Sequence, residues 1–103
     1  MEEASRLMLQ NELEELMGNK HVYYDAPENL KMEYPAIRYF KSKIDSRHAN
    51  DKIYKKMTRY EVIVISRKPD NPVIDDLLEL PYCSYDRHYI SDNLHHDVLT
   101  LYY

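Results

Sequence analysis

The chain contains very little glycine and cysteine. Of its 103 residues, one is glycine, one is cysteine, one is phenylalanine and none is tryptophan. The single glycine excludes the glycine-rich loops that hold nucleotide phosphates, so we do not expect nucleotide binding. The single cysteine, Cys83, excludes an internal disulfide, which is consistent with synthesis in a reducing cytoplasm.

Membrane and secretion signals are missing as well. No apolar run approaches the length of a membrane-spanning helix. The first residues, Met1-Glu2-Glu3, are the opposite of the basic start of a signal peptide. We therefore expect the protein to be cytoplasmic when it is made and to have no contact with a membrane.

Tyrosine is the abundant residue, with eleven in the chain. Its ring offers a large apolar face and its hydroxyl tolerates water, a combination that is enriched where protein surfaces meet. Hydrophobic residues make up 44% of the chain and charged residues 31%, which is the composition of a single globular domain spanning 1–103. The net charge of -4 disfavours a nucleic-acid binder of the basic-patch type.

Apolar periodicity predicts seven elements in the order helix, strand, strand, strand, helix, strand, strand. They fall at 4–18, 21–24, 34–40, 58–66, 72–80, 82–89 and 94–102. Gly18 is placed to cap the first helix and Asn71 the second, in which Leu78 and Leu80 are expected to be buried. The order predicts an α+β domain with a mainly antiparallel sheet of four to five strands, both helices packed on one face and the other face only partly covered.

The segment between the third and fourth of these elements is polar and basic. It is predicted to be a long hairpin connection that contacts a partner, with a solvated loop as the alternative. The last two residues of the chain lie in an aromatic strand and are a second partner-binding candidate. The partner-binding candidates are Lys41, Lys43, Arg47, Lys52, Tyr54, Lys55, Lys56, Tyr102 and Tyr103.

A histidine and aspartate cluster, His95-His96-Asp97 with His88 upstream, invites a metal or hydrolytic interpretation. Strand alternation sends His95 and His96 to opposite faces, so they cannot bind one ion. We therefore expect no catalytic residue, no metal site and no cofactor. The predicted role of Asp92, Asn93, His96 and Asp97 is structural, in a turn that fixes the last hairpin. Cys83 is predicted to be a small buried residue and not a nucleophile, since no neighbouring cation lowers its pKa.

The segment 80–103, Leu-Pro-Tyr-Cys-Ser-Tyr-Asp-Arg-His-Tyr-Ile-Ser-Asp-Asn-Leu-His-His-Asp-Val-Leu-Thr-Leu-Tyr-Tyr, carries a family resemblance. Its proline, cysteine, arginine, Asp-Asn-Leu and His-Asp groups, at these spacings, resemble the tail terminator proteins of siphophages and prophages of Gram-positive bacteria. These are also described as tail completion or head-to-tail joining proteins. The resemblance extends over about residues 20–103 and is one of the whole chain more than of a short motif.

The resemblance implies a non-enzymatic virion protein that forms a ring, generally a hexamer, on the head-proximal end of the tail tube. Such a ring stops tube growth and joins the tail to the head, while DNA passes through without specific binding. The implied partners are further copies of the chain, the major tail protein of the tube and a head-completion protein. A connector on the portal side of the head is the nearest alternative, and a small metal-dependent hydrolase is a distant one.

Overall fold

A computed structural model describes the backbone of residues 2–27, 29–49 and 52–103 and the side chains of residues 5–27, 29–42 and 58–103. The elements in chain order are α1 Glu2–Met17, β1 Val22–Tyr24, β2 Ala36–Ala49, β3 Lys52–Ser66, α2 Val73–Leu78, β4 Cys83–Ser91 and β5 Leu94–Tyr102. The five strands form one sheet in the order β1-β2-β3-β5-β4. The predicted α+β class and element order are confirmed.

The sheet is mainly antiparallel, as expected, and β1 is its exception. β2, β3, β5 and β4 pair antiparallel in succession, whereas β1 pairs parallel with β2, Val22 opposite Ile37. β3 occupies the middle position. Its residues from Val62 to Ile65 form an uninterrupted apolar run in the sequence and are buried on both faces, as in a central strand.

Both helices pack on the same face of the sheet. Leu9 and Leu13 of α1 and Val73 and Leu77 of α2 belong to one buried cluster with residues of β2, β3 and β5. On these strands the contributing positions are every second residue, which is the spacing of one sheet face. The members from the sheet are Val22, Ile37, Tyr39, Tyr60, Val62, Val64, Leu99 and Leu101.

The opposite face has a smaller core. Ile63, Ile65 and Val98 are buried there, and Met32 and Tyr34, from the segment between β1 and β2, pack against them. This face is therefore covered only in part, as the sequence predicts.

Local chemistry explains how both helices begin or end. Gly18 has φ +75° and its amide donates to the Glu14 carbonyl at 2.9 Å, so it ends α1 as a left-handed cap. The Asn71 side-chain oxygen accepts from the Val73 amide at 2.9 Å, which caps the start of α2.

α2 ends at Leu78, and Leu78 itself is 39% exposed. The expectation that Leu78 is buried was wrong, because a helix this short turns only one row of side chains toward the sheet.

The polar segment 41–56 is not a loop in its backbone. β2 and β3 continue through it as paired strands, from Lys43 opposite Arg59 to Ala49 opposite Lys52. The solvated-loop alternative is thus replaced by two paired strands, with a register shift between Arg47 and His48. Among the described residues, no helix is both long and apolar enough to cross a membrane.

Candidate functional site

Two regions carry the chain's unusual surface features: the outer part of the β2–β3 hairpin and the β4–β5 hairpin. We call residues 43–49 and 52–57 the β2–β3 ribbon. In this region β2 and β3 pair with each other, while β3 bonds the last residues of the chain only from Thr58 onward, with Thr58 opposite Tyr103 and Arg59 opposite Tyr102. About seven residues at about 3.3 Å each extend the ribbon by roughly 20 Å. The molecule accordingly measures 50 × 23 × 22 Å.

The base of the ribbon is fixed by an irregularity in β2. The register shifts between Lys41 and Lys43. The hydroxyl of the intervening Ser42 donates to the Arg59 carbonyl of β3 at 3.0 Å. A bulge of this kind adds twist and sets the direction in which a hairpin leaves its sheet.

The ribbon differs in charge from the rest of the chain. Residues 43–57 contain five Lys or Arg and two Asp, a net charge of +3. The remaining residues contain nine Lys or Arg and sixteen Asp or Glu, a net charge of -7. Exposed carboxylates of Asp75, Asp76 and Glu79 lie on or next to α2. A basic projection on an acidic body is suited to contact an acidic surface.

The structure places the partner-binding candidates in two different regions. Lys41 is exposed at the base of the ribbon. The side chains of Lys43, Arg47, Lys52, Tyr54, Lys55 and Lys56 lie outside the described residues, although their backbone belongs to the ribbon.

Tyr102 and Tyr103 are half-buried at the end of β5. Tyr103 exchanges two backbone hydrogen bonds with Thr58 at 3.0 and 3.2 Å, and its hydroxyl donates to Glu12 of α1 at 3.1 Å. The chain thus supplies its own neighbours for this last strand, because β5 lies between β3 and β4.

The β4–β5 hairpin turns at Asp92 and Asn93, which have φ +53° and +63°. Two residues in the left-handed region between paired Ser91 and Leu94 form the tight turn that matches strand twist, and Asp and Asn tolerate that conformation. His96 contributes by bonding the Leu94 carbonyl at 3.0 Å and stacking on Tyr89 at 4.6 Å between ring centroids.

Asp97 lies away from the turn and is the centre of a hydrogen-bond network. Asp97 is buried, with 5% of its surface exposed. Its Oδ1 accepts from the Tyr85 hydroxyl at 2.7 Å and from His88 Nδ1 at 2.9 Å. His88 Nε2 in turn lies 3.3 Å from His95 Nδ1. Because a carboxylate only accepts, His88 carries its proton on Nδ1 and, when neutral, accepts on Nε2 from His95.

This network changes the acidity of one phenol. The hydrogen bond to Asp97, followed by burial and by the charges of Asp97 and Asp70, raises the pKa of Tyr85 to about 12. The neutral phenol is favoured because only the protonated hydroxyl can donate to a carboxylate.

The chemistry available to the network is limited. An aspartate and the histidine that it orients are two of the three members of a nucleophilic triad, but the outer nitrogen of His88 contacts His95 and not a hydroxyl or thiol. Cys83 packs against the core, and burial raises the pKa of its thiol. In the part of the chain that the structure describes, no three His, Cys, Asp or Glu side chains converge as metal ligands.

The sequence did not identify the hydrogen-bond partners of Asp97. Asp97 contacts His88 and Tyr85 across the hairpin, whereas His96 points to the opposite face. The sequence does contain a signal for the position of His88. A two-residue turn at Asp92-Asn93 places His88 directly opposite Asp97 when the strands are counted back from it.

Comparison with known proteins adds no further assignment: no family model, curated protein or solved structure gives a significant match.

Proposed function

We propose that this chain is a non-enzymatic virion assembly protein of a long-tailed phage or prophage. It forms a ring, generally a hexamer, that caps the head-proximal end of the tail tube, ends tube growth and joins the tail to the head. Its place is then the virion, with assembly in the cytoplasm of the host bacterium. The family resemblance of residues 80–103 suggests this role.

The separation of charge between the β2–β3 ribbon and the body is the observation that carries the proposal. A ring closes when one patch of a subunit meets a different patch of the next subunit. The ribbon belongs to a segment, 43–57, of net charge +3, and it projects from a body of net charge -7, so the chain has two such unlike patches. An isolated two-stranded hairpin is also only marginally stable in water, so contact with a neighbour would stabilise the ribbon.

The state of the Asp97 network favours assembly over catalysis. The carboxylate accepts from two donors, and the histidine that it orients is itself bonded to a second histidine. These contacts join β4 to β5, which is a structural use of polar groups that elsewhere serve in enzymes.

The proposal is tested by mixing the purified chain with assembled tail tubes and with DNA-filled heads and measuring cosedimentation. We expect binding to tubes, and about tenfold weaker binding for the triple variant Lys52→Glu, Lys55→Glu, Lys56→Glu, because three attractions become repulsions. The matched control is Lys20→Glu, Lys31→Glu, Lys68→Glu, which changes the same charge at exposed positions of the body and should bind tubes as the original does.

Two results would count against the terminator role. Binding to heads without binding to tubes would favour a connector on the portal side. Binding to neither, combined with tight stoichiometric uptake of zinc that is lost in His88→Asn, would favour the metal-dependent hydrolase.

A further inference from the structure

Among the strand side chains that the structure describes, large apolar ones are exposed only on β4. β4 is the last of the described strands in the sheet order, so none of them lies beside its outer edge. All of its residues after Cys83 are exposed, including Ile90 at 61%, Tyr85 at 45% and Tyr89. Nine residues of exposed edge with large apolar side chains form a template for another strand.

The backbone groups that point outward from this edge follow from the hydrogen bonds to β5. The Tyr102 amide donates to the Tyr82 carbonyl, and these bonds alternate along an antiparallel pair, so Cys83 and Tyr85 direct their N–H and C=O groups outward. At the other end, Ser91 and Leu94 flank a two-residue turn and bond each other.

Backbone groups along an antiparallel strand point alternately toward and away from the partner strand. Counting back from the turn therefore identifies the other β4 residues whose backbone groups point away from β5. His88 and Ile90 direct their backbone groups away from β5. The irregularity between Tyr85 and Arg87 separates this pair from Cys83 and Tyr85.

The same irregularity determines on which face of the sheet each β4 side chain lies. Tyr85 and Cys83 lie opposite Leu99 and Leu101, on the helix-covered face, and His88 lies opposite Asp97 on that face as well. An unbroken strand would have placed Tyr85 and His88 on opposite faces. The bulge therefore makes the face pattern of β4 symmetric about the junction of Asp86 and Arg87.

We propose that β4 pairs antiparallel with β4 of a second copy of this chain, around a two-fold axis at the Asp86–Arg87 junction, to form a ten-stranded sheet across a dimer. This inference goes beyond the ring and does not depend on it, because a two-fold contact uses the same patch on both subunits. A dimer of this kind covers the edge before assembly.

Backbone and side chains agree on this register. It sets Cys83 opposite Ile90 and Tyr85 opposite His88 of the second copy. All four are the residues whose backbone groups point outward, and each facing pair shares one face of the sheet. A shift by one residue would break both agreements.

Charge selects a second copy over an unrelated strand. The register sets Asp86 opposite Arg87 twice, once on each side of the axis. Within one chain these side chains already bond each other at 2.7 Å and remain about half exposed, so they can exchange partners. A bulge on an edge strand disfavours pairing with a regular strand, whereas a copy with the same bulge in the symmetric position matches it.

The test is sedimentation equilibrium of the intact chain from low micromolar to millimolar concentration, with a charge exchange. Asp86→Arg and Arg87→Asp each set like charges opposite one another twice, so each should weaken the dimer by about tenfold. The double variant D86R/R87D restores opposite charges across the axis and should return the dimer to near its original strength. Glu15→Arg, a change of equal charge at an exposed position on α1, should have no effect.

A second measurement checks the register without altering charge. Ile90→Cys should form an intermolecular disulfide with Cys83 of the other copy under mild oxidation, whereas Ser84→Cys should form far less of it. A chain that stays monomeric throughout, or a dimer that is insensitive to both single charge reversals, overturns the proposal. Circular dichroism of each variant separates loss of pairing from loss of folding.

Discussion

Replacing Asp97 with alanine removes the carboxylate that joins β4 to β5. The variant loses two hydrogen bonds, from the Tyr85 hydroxyl and from His88 Nδ1. Leaving a buried donor unpaired costs about 1–3 kcal/mol. Here both donors can turn to water, since Tyr85 is 45% exposed and the His88 side chain 37% exposed. The smaller net value of about 0.5–1.5 kcal/mol for each bond therefore applies.

The expected loss of unfolding free energy for the two bonds together is thus about 1–3 kcal/mol, and each kcal/mol lowers Tm by roughly 4–8 °C for a domain of this size. Urea denaturation followed by circular dichroism measures it. Asp86→Ala is the control within the same hairpin, because its carboxylate is exposed and surface ion pairs contribute little. At protein concentrations below any dimerisation, Asp86→Ala should change stability by less than about 0.5 kcal/mol.

The pH dependence gives an independent check. The folded-state pKa of Tyr85 is raised to about 12 from an ordinary 10. The stabilisation from its neutral form is therefore complete below pH 10 and is lost as the pH rises toward 12. Between about pH 10 and 12, the unfolding free energy of the original chain should fall relative to that of Tyr85→Phe. In chains that also carry Asp97→Ala, this relative fall should disappear. An Asp97→Ala variant as stable as Asp86→Ala, with no change in the alkaline profile, would refute the structural role of the network.

Three further predictions concern other parts of the chain. Limited trypsin digestion should cut the free protein near Arg47 or Lys52 and fail to do so in tube-bound protein, because few apolar residues anchor the β2–β3 ribbon; full resistance in the free protein would mean that the ribbon already packs on its own domain. Removal of Tyr102 and Tyr103 should impair assembly and lower the unfolding free energy by about 2–4 kcal/mol in urea denaturation. The reason is that three hydrogen bonds to Thr58 and Glu12 are lost together with two half-buried rings. Unchanged stability would contradict the contacts at the end of β5. Gly18→Ala should cost about 1 kcal/mol by thermal unfolding, because φ is +75° and a Cβ there meets nothing within 4 Å, which leaves backbone strain as the only penalty; a stabilised variant would contradict the left-handed cap.

The sequence predicts the fold well where burial leaves a periodic signal. Alternation from Tyr60 to Ile65 identifies the central strand, and Gly18 and the pair Asp92-Asn93 mark a helix end and a turn because each requires positive φ. The β2–β3 ribbon gives no such signal. Its residues are mostly polar, and its strand structure follows from backbone pairing that polarity does not report.

The candidate site was harder to predict for a related reason. The partners of Asp97 come from the opposite strand, so their positions depend on the register of the hairpin and not on proximity in sequence. For His88 the two-residue turn fixes this register, but Tyr85 lies beyond the irregularity between Tyr85 and Arg87, a feature of backbone geometry that residue types alone do not reveal. The net charges of the basic ribbon and the acidic body can be counted from the sequence. Their separation in space can be seen only in the folded structure.

Electron microscopy of tail tubes incubated with the purified chain tests the proposed function most directly. We expect a closed ring at one end of each tube and tubes that no longer lengthen when more tube protein is added. Tubes that keep growing, with no added density at either end at saturating concentrations of the chain, would contradict it.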